Sequence, residues 1–138
     1  TVLAEAGEHV NLNGGYGIAA DGGYTPTRNS STWVSLSLGS KFQGVLFAGY
    51  AKNFGTKDDL MSVDTFYFSK NSFKNMNQMW RLTPTFMYNL GKFTLGLEYE
   101  ITSVQYGKWG NDWKKGLATG DLHWVTNNRL QAMVRFNF

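Results

Sequence analysis

Hydrophobic and polar residues take turns along most of this chain, with a period of two. In FTLGLEYEIT, residues 93–102, Phe93, Leu95, Leu97, Tyr99 and Ile101 alternate with Thr94, Gly96, Glu98, Glu100 and Thr102. Extended backbone points successive side chains to opposite faces, so this pattern predicts a strand with one apolar and one polar face. RLQAMVRFNF, 129–138, sets Leu130, Ala132, Val134, Phe136 and Phe138 against Arg129, Gln131, Met133, Arg135 and Asn137, and its strand is expected to reach back to about Leu122. MWRLTPTFMYN (79–89), STWVSLSLG (31–39) and HVNLNGGYGI (9–18) alternate in the same way. FQGVLFAGYAKN (42–53) is apolar on both faces, and its orientation stays open. About six antiparallel strands in an all-β fold are predicted.

The connections between these segments are sorted by length. GSK (39–41) and LG (90–91) are short, whereas 19–31, 53–75 and 107–120 are long. Short turns at one end and long loops at the other are the arrangement of outer-membrane β-barrels. A two-residue turn at 90–91 pairs Asn89 with Lys92, which sets Arg81 opposite Glu100 and Thr83 opposite Glu98 on the polar side. Opposite charges facing each other across a strand pair contribute roughly 0.2–1 kcal/mol. Pro84 lacks a ladder donor, so a bulge or a local break is expected there. A bulge that turned Arg81 outward would cost about 2–4 kcal/mol at a lipid midplane.

Composition supports a bilayer only when read strand by strand. Mean hydropathy is −0.33, and the longest clearly apolar run, VLFAGYA (45–51), is far below the ~20 residues of a membrane helix. A transmembrane strand needs only ~9–11 residues with every second one apolar. Aromatic residues bracket the alternating segments. Trp80, Trp124 and Tyr16 fall toward the long connections, and Tyr88, Phe93, Phe136 and Phe138 toward the short ones, as in interfacial girdles. The chain has no Cys, which excludes disulfides and thiolate metal sites, and its +3 charge is dispersed, so no nucleic-acid partner is expected. It begins without Met or a signal peptide, as expected of a processed chain or a piece of one.

RLQAMVRFNF resembles the C-terminal assembly signal of bacterial outer-membrane proteins, in which alternating apolar residues close on a terminal Phe. Leu130, Ala132, Val134, Phe136 and Phe138 carry that likeness. PTRNSSTWVSL, GVLFAGYAKNFGTKDD, MYNLGKFTLGLEYEITSVQYG and DLHWVTNNRLQAMVRFNF are similar to the C-terminal region of porin-like proteins of Bacteroidota, akin to DcaP-like porins. The resemblance covers nearly the whole chain. It implies a Gram-negative outer membrane, recognition by the barrel-assembly machinery, a homotrimer, and passive diffusion of small hydrophilic solutes. Porins of this kind are substantially longer. Six strands do not close a membrane barrel, for which bacteria use at least ~8. Residues 1–138 are therefore expected to be one domain, the C-terminal part of a larger transmembrane barrel.

The inward set contains Arg81, Arg129 and Arg135 with Glu98 and Glu100, the candidate pore lining. Lumen charges bias which solutes pass. Three Arg suggest a mild preference for anionic solutes, with Arg129 and Arg135, which lack an assigned partner, as the better candidates. The plainer reading makes these charges structural cross-strand pairs, with Arg81 committed to Glu100. His123 stands near Asp121 and Thr126 without a nucleophile elbow or metal-ligand spacing, and NGGYGIAADGG lacks a phosphate-loop pattern, so no catalytic residue, metal or cofactor is expected. Two rivals are a non-channel barrel acting as a scaffold or surface receptor, with 53–75 as its contact loop, and a barrel hydrolase. A soluble β-sandwich is the outsider.

Overall fold

The computed structural model describes residues 2–10, 15–68 and 75–138, and the side chains of 16–65 and 75–138. Eight strands run β1 Val2–Val10, β2 Gly15–Ile18, β3 Tyr24–Gly39, β4 Phe42–Thr56, β5 Phe66–Phe68, β6 Met76–Leu90, β7 Phe93–Lys108 and β8 Gly120–Phe136. Six of them, in the order β1-β3-β4-β6-β7-β8, form one antiparallel sheet curled into a half-barrel. The short β2 and β5 extend it beyond the far end of β3. Among the described residues no helix is long and apolar enough to cross a membrane, which has no bearing on strands.

The ladders turn the alternation in the sequence into two continuous faces. Leu38, Gly44, Phe86, Leu97 and Ala132 lie in one cross-strand row, and Val34, Ala48, Leu82, Ile101 and Asn128 in another. The intervening rows carry Ser37, Val45, Thr85, Glu98 and Gln131, then Trp33, Gly49, Arg81, Thr102 and Asn127. Phe42, Leu46 and Tyr50 thereby join the apolar face, and Val45 and Phe47 the polar one. That resolves the segment whose pattern was ambiguous.

Three expectations change. The hairpin turn is Gly91–Lys92, not 90–91, because Leu90 pairs with Phe93. Gly91 has φ 62 and Lys92 no positive φ, as in a type II′ turn, whose first central position favours Gly. The register slips by two residues, so every facing is kept but Arg81 lies opposite Thr102. The segment expected at 9–18 contains parts of β1 and β2, which pair with different stretches of β3; Asn11–Gly14 fall outside the described residues. Finally, the loop expected at 19–31 shrinks to a tight turn, because β3 begins at Tyr24. Asp21 Oδ1 accepts from the Gly23 amide at 2.9 Å in that turn.

Pro84 interrupts one ladder without shifting its phase. On the β4 side Leu46 pairs with Pro84. On the β7 side the pairing steps from Leu82–Ile101 to Thr85–Glu98, leaving Thr83 and Pro84 without β7 partners. The expected break is there, and Arg81 stays on the polar face.

At the end carrying the long connections, the chain packs into a small cap. Leu60 is fully buried, as are Thr25, Thr27 and Thr56. The Leu60 amide donates to Lys114 O at 2.7 Å, and Ala20 N to Asp59 O at 2.9 Å, so the segments around 20, 60 and 114 are stitched together. Arg28 Nη2 donates to Thr56 O at 3.0 Å, and the Asp58 amide to Thr25 Oγ1 at 3.0 Å. Gly55 sits at φ 76 where a Cβ would collide with the Lys115 carbonyl oxygen. Only glycine fits so close an approach.

Candidate functional site

Every candidate pore-lining residue lies on the polar face. Arg81 comes from β6, Glu98 and Glu100 from β7, and Arg129 and Arg135 from β8. Three strands bring four of these side chains into one lattice. Arg129 Nη2 donates to Glu98 Oε1 at 3.2 Å and to Glu100 Oε2 at 3.3 Å. Arg81 Nη1 lies 3.6 Å from the same Glu100 oxygen, and its Nε donates to Thr102 Oγ1 at 3.0 Å. Thr85 Oγ1 donates to Glu98 Oε2 at 3.3 Å. The two-residue slip explains the geometry, since Arg81 reaches Glu100 diagonally rather than across.

Arg129, to which the sequence assigned no partner, therefore has two carboxylate partners. Sequence pairing between β7 and β8 was not assignable because the long connection between them does not set a register. Arg135 stands apart, with Nε donating to Asn137 Oδ1 at 2.9 Å. The lattice of two Arg and two Glu is formally neutral. Glu100, least exposed at 15%, is its hub, while Arg129 keeps 54% of its side chain exposed.

Beside the lattice is a feature that the alternating pattern did not signal. Trp33 and Phe47 stack on the polar face, with ring centroids 6.2 Å apart and planes 20° from parallel. Gly49, paired with Trp33 on one side and Arg81 on the other, leaves a hollow next to them. A cavity of about 280 Å³ opens there, lined by Trp33, Phe47, Gly49, Ala51, Met79 and Arg81. A neighbouring cavity of about 330 Å³ shares Phe47 and Arg81 and adds Thr83, Thr85, Glu98 and Glu100. Thr83 Oγ1, on a side chain only 8% exposed, has no hydrogen-bond partner. It sits where Pro84 opens the ladder.

Leu130, Ala132, Val134, Phe136 and Phe138, which carry the likeness to an assembly signal, fall at the β8 edge, with the first four paired to Tyr99, Leu97, Leu95 and Phe93. Phe93 and Phe136 approach to 4.8 Å, Phe136 and Phe138 to 5.0 Å, and Phe42 and Tyr88 to 4.4 Å, clustering aromatic rings at the short-turn end. At the other end Tyr16, Trp80 and Trp124 are exposed. His123 lies exposed on β8 with Nδ1 at 3.2 Å from Asp121 O and its ring 6.3 Å from Tyr106. Phe73 of the proposed contact loop lies outside the described residues.

In the cap, the Lys115 ammonium hydrogen-bonded to Asp59 holds that carboxyl below its ordinary range, helped by the charges of Lys115 and Lys114 and opposed by partial desolvation. Comparison of the chain with known protein families, with characterised proteins and with solved structures found no match. Its class is therefore set by the fold alone: an antiparallel half-barrel with one apolar and one polar face.

Proposed function

We propose that this chain is part of the wall of a transmembrane β-barrel in the outer membrane of a Gram-negative bacterium, a porin through which small hydrophilic solutes diffuse. The observation that carries this reading is the exposed apolar face. Leu36, Leu38, Leu46, Phe86, Leu95, Leu97, Leu130 and Val134 all stand exposed on one side of a single-layer sheet. Soluble proteins rarely expose more than a few hundred Å² of contiguous apolar surface. The band also has the height of a bilayer core. From Phe93 to the Ser103 row at about 3.4 Å per residue, tilted about 40°, it spans roughly 26 Å, near the ~25 Å apolar belt of such barrels.

Hydrocarbon does not tolerate unpaired strand edges, so β1 and β8 would pair with further strands to close the cylinder. The residues at the β8 edge would be read by the assembly machinery, and trimers of the kind the family resemblance implies would place part of the apolar face against neighbouring protomers. The polar face would meet water inside. With Arg81 and Arg129 engaged by Glu98 and Glu100, any anion preference rests on Arg135. Planar-bilayer recording tests the reading: stable single-channel steps are expected, and Arg135→Glu should shift the reversal potential toward cations more than Arg129→Glu does. Absence of any conductance from correctly folded protein would remove the porin.

A second reading, a non-conducting barrel serving as a surface receptor or scaffold, draws on the folded cap. There Met61, Trp109 and Trp113 line a cavity of about 300 Å³. The same recording separates the two, since a receptor barrel carries no steady current.

A further inference from the structure

We infer that the polar face holds a binding subsite for a neutral, polyhydroxylated ring, the chemistry of a sugar, seated beside Gly49 between the Trp33–Phe47 wall and the Arg81–Glu100 lattice. The inference rests on the proposed water-filled lumen and names the solute class it selects. Two aromatic rings stand half-buried on the polar side of the sheet, beside a hollow kept open by Gly49 and Ala51. A Cβ added at Gly49 would stand 3.2 Å from Phe47 Cε1 and 3.3 Å from its Cζ, so the floor of the hollow admits no larger side chain without displacing the wall. Ring C–H faces pack against such aromatic surfaces, which are apolar and present a negative π face.

The opposite wall selects against net charge. An incoming anion would have to compete with Glu98 and Glu100 for guanidinium groups already bonded to them, and a cation would have to compete with Arg81 and Arg129 for the carboxylates. Hydroxyl groups both donate and accept, so a polyol can bond to carboxylate and guanidinium at once without breaking the lattice. Thr83, more than nine-tenths buried, lines the cavity shared with Phe47, Arg81 and Glu100.

The test is equilibrium dialysis of the closed barrel protein that contains these residues, folded in detergent micelles, against radiolabelled maltose, with folding checked by heat-modifiable gel mobility. Saturable maltose binding is expected, outcompeted by neither the open-chain polyol sorbitol nor the aromatic anion benzoate. Trp33→Leu and Phe47→Leu, which leave the charge lattice intact, should each weaken it by about tenfold, the scale of one lost aromatic contact. No saturable binding, wild-type affinity in both variants, or displacement by benzoate would overturn the assignment. Conductance measured in parallel keeps the two ideas apart: a conducting protein that ignores maltose refutes the subsite and spares the pore. Binding without conductance keeps the subsite and removes the porin.

Discussion

The two ends of the same strands follow opposite rules of burial. Toward the long connections β3 and β4 pack like a soluble protein, with Thr25, Thr27, Asn53 and Thr56 out of contact with water, as is Leu60 of the cap. Toward the short turns β3, β4, β6, β7 and β8 bury no large apolar residue, and their leucines, with every phenylalanine there except Phe47, stand on the apolar face. The cap balances its buried polar groups with hydrogen bonds, such as Thr56 Oγ1 to Asp58 O at 2.8 Å. Among the described residues no second layer completes the sheet below. The proposed placement accounts for both rules in one chain, with water above and hydrocarbon below.

The sharpest break of this comparison is Leu97→Arg, near the middle of the apolar band. A cost of about 2–4 kcal/mol is expected at that depth, with heat-modifiable folding into vesicles largely lost. Glu98→Arg, one residue on, should assemble nearly normally, and equal behaviour of the two would refute the facings. Next in size is Leu60→Ala, a cavity mutation in a cap that follows soluble rules. About 2 kcal/mol of local stability should be lost. Faster hydrogen exchange in 57–65 and 109–119, with unchanged membrane assembly, would register it.

Glu100→Gln is a smaller perturbation. It removes the hub carboxylate from Arg81 and Arg129, and because the pairs are half-exposed the stability change should stay within about 1 kcal/mol. The lumen gains one positive charge, so reversal potentials should move toward anions. The smallest effect concerns pH. The folded-state pKa of Asp59 lies below its unfolded value, so its pairing with Lys115 stabilises the cap above the unfolded pKa and is lost as pH falls through the folded one. Lys115→Gln should therefore loosen the cap in hydrogen exchange at neutral pH but differ little from wild type well below pH 4.

How much of this was legible in the sequence follows from where one physical rule acts alone. Around β7 and β8 the alternation is strict, and the facing of each residue from Phe93 to Ile101 follows from parity. A register error of two residues at Gly91 left that facing untouched, although it moved Arg81 from Glu100 to Thr102. Phe42–Asn53 defeated the pattern because Val45 and Phe47 belong to the polar face, where an aromatic wall replaces a polar side chain. VLAEAGE, most of β1, escaped because Ala4, Ala6 and Gly7 blur the contrast between faces. The cap was read as loop, since the Pro, Asn and Ser of TPTRNSS mimic a connection while its threonines are buried through contacts distant in sequence.

A chain without cysteine allows spin labels to be placed one at a time, which gives the most direct measurement. Labels at successive positions from Phe93 to Ile101, in protein folded into lipid vesicles, would be read for collision with oxygen, which partitions into hydrocarbon, and with a water-soluble nickel chelate. The account predicts oxygen access peaking at 93, 95, 97, 99 and 101 and nickel access peaking at 94, 96, 98 and 100. Access without that two-residue rhythm, or odd-numbered positions shielded from both reagents, would contradict it.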